Sequence, residues 1–367
     1  MAEANVVRNL LLYCRPGFED DCALEIASLS GRFGTGRVDR AIIGSGFVVF
    51  SFDNPRSAFD CARNLPFASV TFARQIIAAF GDVAGLSAGN RVQPVVDAIA
   101  GCGMVFSDYF LETADTNEAK QLSPLCRNLV GPFEKALSEK GLLTAPNAEI
   151  SADSKRLHIF FATTNHAIPG IVFVNNSSPW PMGIPRLRFP AGAPSRSALK
   201  LEEAVNAFMT PAQADQNLRP GLDAVDLGAS PGGWSWFLAS RGLRVTAVDN
   251  GRMDKRVLAS GLVNHVRGDA FTFSPGKPVR LMVCDVVEQP SRIAKLAAQW
   301  IGRKWCNIAV FNLKLPMKKR YPEIMHCKEI ISQEIKRFGA SYELAVKHLY
   351  HDREEVTGFL RCTTRSR

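Results

Sequence analysis

Apolar and polar positions change rhythm along this chain, and the change marks its organisation. In the first half, Val6 to Cys14 is a dense apolar run that reads as an opening strand. Pro16-Gly17 then turns the chain into a helix expected from Glu19 to Leu29. Phe47 to Phe52 reads as a second strand, Ala58 to Asn64 as a short helix and Val92 to Ile99 as another. Lys135 to Lys140 continues a further helix, and Leu157 to Phe161 is a strand. Short strands mixed with helices give an α+β pattern. The stretch from Asn175 to Pro185 is rich in turn formers. Its Trp180, Met182 and Ile184 nevertheless point to an ordered loop lying against a domain.

From Ser195 the pattern becomes regular. Ser195 or Ser197 is a suitable N-cap for a helix whose apolar face is Ala198, Leu201, Val205 and Phe208. Strands are expected at 224–227, 243–248, 279–284 and 307–311, with helices at 234–241 and 291–301 between them. A helix near 323–338 and strands at 342–347 and 356–362 complete the series. Such alternation implies a parallel, doubly wound α/β sheet of Rossmann type. The expected organisation is an α+β region over 1–80, a second over 81–174, a connecting loop over 175–194 and the doubly wound domain over 195–367.

Length and composition agree with a multidomain globular protein. A chain of 367 residues exceeds one ordinary core, and 46% hydrophobic with 22% charged residues is ordinary for such a protein. No apolar run is long enough to span a bilayer, and Met1 to Asn5 lacks the basic start of a signal peptide. A cytoplasmic location without membrane association is expected. The nine cysteines are scattered and form no C-x-x-C, so neither a disulfide framework nor a metal site is expected. The net charge of +9 is uneven. Residues 1–170 carry 15 Lys and Arg against 18 Asp and Glu, and the remainder carries 29 against 17. A polyanion-facing surface would therefore centre on the second half. In the first half it would need a local patch such as Arg8, Arg15, Arg63 and Arg74.

The segment Asp226-Leu227-Gly228-Ala229-Ser230-Pro231-Gly232-Gly233-Trp234 joins the first expected strand of the regular region to its helix. Glycines there let backbone approach a ligand closely and adopt positive φ. Asp249 follows Asp226 by 23 residues, at the end of the next strand, where an acid can accept the ribose hydroxyls of an adenosine cofactor. A dinucleotide-binding loop would read G-x-G-x-x-G, but Ser230 stands at the second glycine. Asp226 would repel a pyrophosphate and could instead hold an ammonium group. These features favour S-adenosylmethionine over a nicotinamide cofactor. Asp269 falls where the third strand should end and Asp285 ends the fourth, and Asp269 could receive an adenine amino group.

Lys314 ends the fifth strand, Lys200 lies on the preceding helix, and Glu355 opens the last strand beside Glu354. A weak nucleophile such as a ribose hydroxyl needs a base to take its proton. A lysine serves if a second lysine and partial desolvation lower its pKa. The alternative role for Lys314 is phosphate contact, which suits the run Lys318-Lys319-Arg320 better.

The segments 195–203, 226–234 and 311–321 resemble the FtsJ-type ribose 2′-O-methyltransferases. Cys14 to Glu19, Ala114 to Glu118, Met182 to Leu187 and Leu349 to Thr357 narrow the resemblance to the RlmM branch, over nearly the whole chain. The resemblance implies a THUMP RNA-binding domain within the N-terminal region. It implies a Lys200, Asp285, Lys314 and Glu355 tetrad with Lys314 as proton acceptor. Donor contacts are implied at Ser197, Ser230, Pro231, Gly232, Gly233, Asp249, Asp269 and Asp285. The implied reaction is methylation of a cytidine 2′-hydroxyl in bacterial 23S ribosomal RNA or a large-subunit precursor. A non-catalytic RNA-binding or ribosome-assembly factor on the same fold is the alternative.

Overall fold

Dense apolar runs in the first half pair into one sheet. The computed structural model describes residues 7–145, 149–151 and 153–363. They fall into two compact units, Met1–Pro185 and Arg186–Arg367. The first contains β1 (Asn9–Tyr13), α1 (Glu19–Ser30), β2 (Gly36–Ala41), β3 (Phe47–Phe52), α2 (Pro55–Asn64), β4 (Gln75–Ala79) and β5 (Val83–Ala84). It continues with α3 (Val92–Ala100), β6 (Asp108–Glu112), α4 (Ser123–Glu139), β7 (Lys155–Thr163) and β8 (His166–Phe173). The strand order is β2-β3-β1-β4-β8-β7-β6, with β5 against β8. Strands from 1–80 and from 81–174 thus share one sheet, joined where β4 pairs with β8. Val6, at the expected start of the first strand, lies outside the described residues.

Two elements depart from the sequence pattern for physical reasons. β8 contains Pro169-Gly170, a pair that ordinarily signals a turn. Here the Pro169 carbonyl accepts the Phe80 amide at 2.9 Å. Gly170 is needed because a Cβ there would meet the Ala78 carbonyl oxygen at 2.6 Å. α4 begins a dozen residues before the helical stretch expected at Lys135 and carries Pro132 inside it.

The turn-rich stretch 175–185 is ordered, with Met182 and Ile184 buried. Its anchor is buried Glu112, which accepts the Met182 amide at 2.5 Å and the Tyr13 hydroxyl at 2.7 Å. Nδ1 of the buried His158 ring lies 2.7 Å from the same carboxylate. Arg74, expected in a surface patch, is instead buried beside Asp115 at 3.5 Å. Its neighbours in the apolar sequence Phe72-Ala73 draw it inward.

The second unit contains α5 (Ser197–Phe208), α6 (Pro211–Asn217), β9 (Asp223–Leu227), α7 (Gly233–Ser240), β10 (Arg244–Val248), α8 (Lys255–Leu258) and β11 (Val263–Val266). Then follow β12 (Val279–Cys284), α9 (Pro290–Gly302), β13 (Cys306–Lys314), α10 (Arg320–Arg337), β14 (Ser341–Lys347) and β15 (Glu355–Thr363). The order is β11-β10-β9-β12-β13-β15-β14. The expected apolar face of α5 is buried through Ala198, Leu201 and Val205, and Phe208 stacks on Phe359 at 5.4 Å between ring centroids.

The five strands from β9 to β13 in the sequence are parallel neighbours, as the alternation implies. β15 is antiparallel to both β13 and β14. No helix intervenes between β14 and β15, so the chain returns through a short loop and must run the opposite way. This reversal sets Glu355, the first residue of β15, directly opposite Lys314, the last of β13.

Close packing enforces that register. Gly358 pairs with Phe311, and a Cβ on Gly358 would come within 2.5 Å of the buried Phe311 ring. Gly358→Ala should lower stability by about 1–3 kcal/mol through overpacking. Exposed Gly276, where an added Cβ meets nothing within 4 Å, provides the control. Thermal melts in which both alanine variants behave alike would contradict this.

Candidate active site

In an open α/β sheet, a crevice forms at the carboxyl ends of the strands where the order reverses. Here that point lies between β9 and β12. The glycine-rich loop leaves β9 and Asp285 leaves β12, so both enter the crevice. They approach closely: a Cβ on Gly228, whose φ is +76°, would meet Val286 at 2.6 Å. Gly232 opens α7 at φ +114°. Gly233 meets the first turn of α5, where a Cβ would lie 2.1 Å from Ser197 Oγ and 2.4 Å from Ser195 Oγ. Those two hydroxyls bond each other at 2.6 Å, and neither caps α5. Trp234 Nε1 donates to the Ser197 carbonyl at 2.9 Å, joining the two helix starts.

The expected cofactor residues gather around this loop. Asp249 accepts the Ser230 amide at 3.0 Å and the Gly251 amide at 2.6 Å, one on each oxygen. Each oxygen keeps capacity for another donor. Ser230 Oγ donates to the Arg252 carbonyl at 2.9 Å, and the Pro231 carbonyl accepts the Asp254 amide at 3.0 Å. Asp269 is exposed after β11 and accepts the Phe271 amide at 2.9 Å. The loop therefore offers bare backbone, two helix N-termini and spaced carboxylates. That donor and acceptor set fits an adenosine and an amino acid, the two ends of S-adenosylmethionine.

Asp226 departs from its expected exposure to a ligand. Its carboxyl is buried under the loop and accepts Ser235 Oγ at 2.7 Å. Burial pushes its pKa up to about 7, helped by the charges of Asp285 and Asp249 and opposed by the Ser235 hydrogen bond.

The four residues of the expected tetrad meet at the crevice. Lys200 on α5 and Lys314 on β13 each pair with one oxygen of Glu355. Asp285 lies 3.8 Å from Lys200 Nζ and 3.5 Å from Lys314 Nζ. Two ammonium groups and two carboxylates thus balance. Burial draws the Lys314 pKa down, but Asp285 and Glu355 outweigh it and leave the ammonium above the ordinary lysine value. The second lysine and desolvation were expected to lower it; the paired carboxylates reverse that direction. Burial raises Glu355, and the two lysines more than offset this, holding it below the ordinary range. Glu354 points elsewhere and accepts Arg320 at 3.0 Å. Of the basic run beyond Lys314, Lys318 and Lys319 are exposed, whereas Arg320 is engaged by Glu354.

Sequence reasoning missed the residues that hold this group. Buried Glu203, one turn from Lys200, accepts the Tyr350 and His351 amides at 2.7 and 2.9 Å and faces His351 Nδ1 at 2.6 Å. It fixes the loop that delivers β15. Asn312 Nδ2 donates to Asp285 at 2.8 Å. Thr357 Oγ1 lies 2.9 Å from Asn312 Oδ1 and 3.0 Å from Asp352 Oδ2. One sign was present: Asn312 interrupts the apolar run Val310-Phe311-Asn312-Leu313.

The raised Asp226 pKa has a consequence for stability. The folded state keeps a proton that the unfolded state, near the ordinary value of 3.8, has already lost. Stability therefore falls as pH rises from about 4 through about 7. Asp226→Asn should remove this dependence. Its melting temperature should gain on the native chain between pH 5 and pH 8, by the equivalent of at most about 3 kcal/mol. Parallel pH curves for the two proteins would refute the assignment.

Comparison with known proteins agrees with this arrangement along the chain. A model of the RlmM ferredoxin-like domain matches residues 7–77. A model of the N-terminal part of ribosomal RNA large subunit methyltransferase M matches 90–173. The FtsJ-like methyltransferase model matches 193–338. The chain is 46% identical over 355 residues to ribosomal RNA large subunit methyltransferase M of Cellvibrio japonicus, covering 97% of this chain and 99% of that one. It is 47% identical over 352 residues to the protein of the same name from Methylococcus capsulatus, covering 96% and 97%. With that from Haemophilus influenzae it shares 43% over 358 residues, covering 96% and 98%. The chain belongs to the family of ribosomal RNA large subunit methyltransferase M.

Proposed function

We propose that the chain methylates the 2′-oxygen of a cytidine ribose in bacterial 23S ribosomal RNA or a large-subunit precursor, with Lys314 as the proton acceptor. Family membership makes it an S-adenosylmethionine-dependent methyltransferase acting on ribosomal RNA. The observation that carries the finer reading is the balanced cluster of Lys200, Asp285, Lys314 and Glu355 beside the glycine loop.

The donor supplies an electrophilic methyl group on a sulfonium. Ser197, Ser230, Pro231, Gly232, Gly233, Asp249, Asp269 and Asp285 would hold it. The starts of α5 and α7 suit its carboxylate, and Asp249 and Asp269 suit ribose hydroxyls and an adenine amino group. The chain's own work is to place the sugar hydroxyl and to remove its proton as the carbon–oxygen bond forms.

Lys314 rests as an ammonium because two carboxylates face it. A further cation beside Lys314 would repel the ammonium directly, and burial adds to that push towards the neutral amine. Glu355 keeps both lysines oriented, and Lys200 shares its charge. After transfer, Lys314 carries the proton and returns it to solvent.

Lys318 and Lys319, just beyond Lys314, are exposed and would contact phosphates. We assign RNA docking to a THUMP-like module over 81–174. With Arg74 buried and Arg63 held by Asp153 at 2.6 Å, exposed Arg8 remains from the expected patch.

Lys314→Ala should abolish transfer while calorimetry still detects S-adenosylmethionine binding. Normal turnover by that variant on its RNA would rule out Lys314 as the base. A base works when deprotonated, so the native rate should rise with pH towards the raised Lys314 pKa. Glu355→Gln removes one of the charges that raise it and should move this limb to lower pH, whatever it costs in rate. An unmoved limb would show that another group controls it. Mass-spectrometric mapping of 2′-O-methyl groups in 23S RNA, with and without the protein in cells, tests the nucleotide assignment.

A further inference from the structure

Behind the tetrad runs a line of fully buried polar side chains that the reaction itself does not use. Asp352, Thr357 and Asn312 are each 0% exposed. Asn312 and Thr357 sit opposite each other across β13 and β15, one pair inward from Lys314 and Glu355 on the same face. Asp352 lies on the loop before β15, where it accepts the Leu349 amide at 3.0 Å.

Counting protons gives this line a direction. Asn312 must turn its NH2 towards the Asp285 carboxylate, its neighbour at 2.8 Å. Its carbonyl oxygen then faces Thr357 Oγ1 at 2.9 Å and can only accept. The single hydroxyl proton of Thr357 is thereby committed to Asn312. Yet the same hydroxyl oxygen lies 3.1 and 3.0 Å from the two oxygens of Asp352. An ionised Asp352 would compete for the one proton and leave an acceptor facing an acceptor. A neutral Asp352 donates its own proton from Oδ1 to Thr357 and keeps Oδ2 to accept the Leu349 amide.

We propose that neutral Asp352, Thr357 and Asn312 form a one-way hydrogen-bond chain that ends on Asp285 and positions that carboxylate against Lys314. The surroundings of Asp352 agree. Burial raises its pKa well above the ordinary value, and the neighbouring charges of Glu355 and Glu203 push the same way. Lys200 and the Leu349 amide oppose them without prevailing. The chain gives Asp285 a fixed donor on Oδ1, the oxygen that also faces Lys314, without adding a charge to the balanced cluster. Thr357 and Asn312 are thus positioning residues for the reading of Lys314 given above, on which this role rests.

Infrared difference spectroscopy tests the protonation directly. At pH 7.5, the spectrum of the native protein minus Asp352→Asn should contain the carbonyl band of a neutral carboxylic acid. In Thr357→Val the band should persist but shift, since the acid has lost its acceptor. Absence of the band at pH 7.5 would overturn the proposal. Kinetics test the positioning. Thr357→Val should lower kcat about tenfold, the effect of one lost buried hydrogen bond, with KM for RNA unchanged. It should also shift the pH limb assigned to Lys314, and Thr357→Ser should regain most of the loss. A Thr357→Val protein with native kcat and pH profile would show that the chain does not position Asp285. An active Lys314→Ala protein would instead remove the base and leave the infrared result standing, so the two failures are separable.

Discussion

Four charged side chains withdrawn from bulk water can coexist only if their charges cancel and each finds its partner. That condition governs the catalytic unit. Lys200 comes from a helix, Asp285 and Lys314 from the ends of parallel strands, and Glu355 from an antiparallel strand. Removal of one would leave an uncompensated charge near the sheet, which is expensive at low dielectric. The fold is therefore arranged so that all four arrive together. Glu203 fixes the loop, Gly358 lets β15 close on Phe311, and Asn312 donates to Asp285.

The glycine loop obeys a different constraint, which is space. Gly228 clears Val286, Gly232 clears Met253 and Val257, and Gly233 clears two serine hydroxyls. No larger residue would let β9, α5 and α7 converge on one point. What remains beside the loop is main chain and carboxylate, a surface suited to a polar ligand with both donors and acceptors. Beneath it, Asp226 supports the loop through Ser235 instead of meeting a ligand. Position in the sequence identified this acid as important; only packing distinguishes support from contact.

Legibility followed the range of the interactions. Local periodicity was enough for α5, β12 and the alternation of the second unit, because one face of each element is apolar. The spacing of Asp249 after Asp226 and the punctuation of the glycine loop were equally visible. The meeting of Lys200, Asp285, Lys314 and Glu355 came from resemblance, since it depends on pairings between residues up to 155 apart. The direction of the Lys314 shift was misread because a list of neighbouring residues does not reveal which charge lies nearer. β8 was hidden by Pro169-Gly170, whose turn signal is overridden when neighbouring strands supply partners. Arg74 shows the reverse case, a cation that its apolar neighbours carry inside. Glu203, Asn312, Asp352 and Thr357 left almost no trace, because a buried polar residue differs from a surface one only in what surrounds it.

The antiparallel entry of β15 makes this unit sensitive to spacing in a way that residue identity does not capture. Side chains along a strand alternate faces, so a one-residue slip of β15 against β13 would send the glutamate to the opposite side of the sheet. A two-residue slip would restore the side but carry Glu355 past Lys314, its partner in the register. Drift among related chains should therefore accumulate as exchanges of one residue for another here, while insertions and deletions collect elsewhere. The register of this strand, more than the identity of its residues, decides where the glutamate lands.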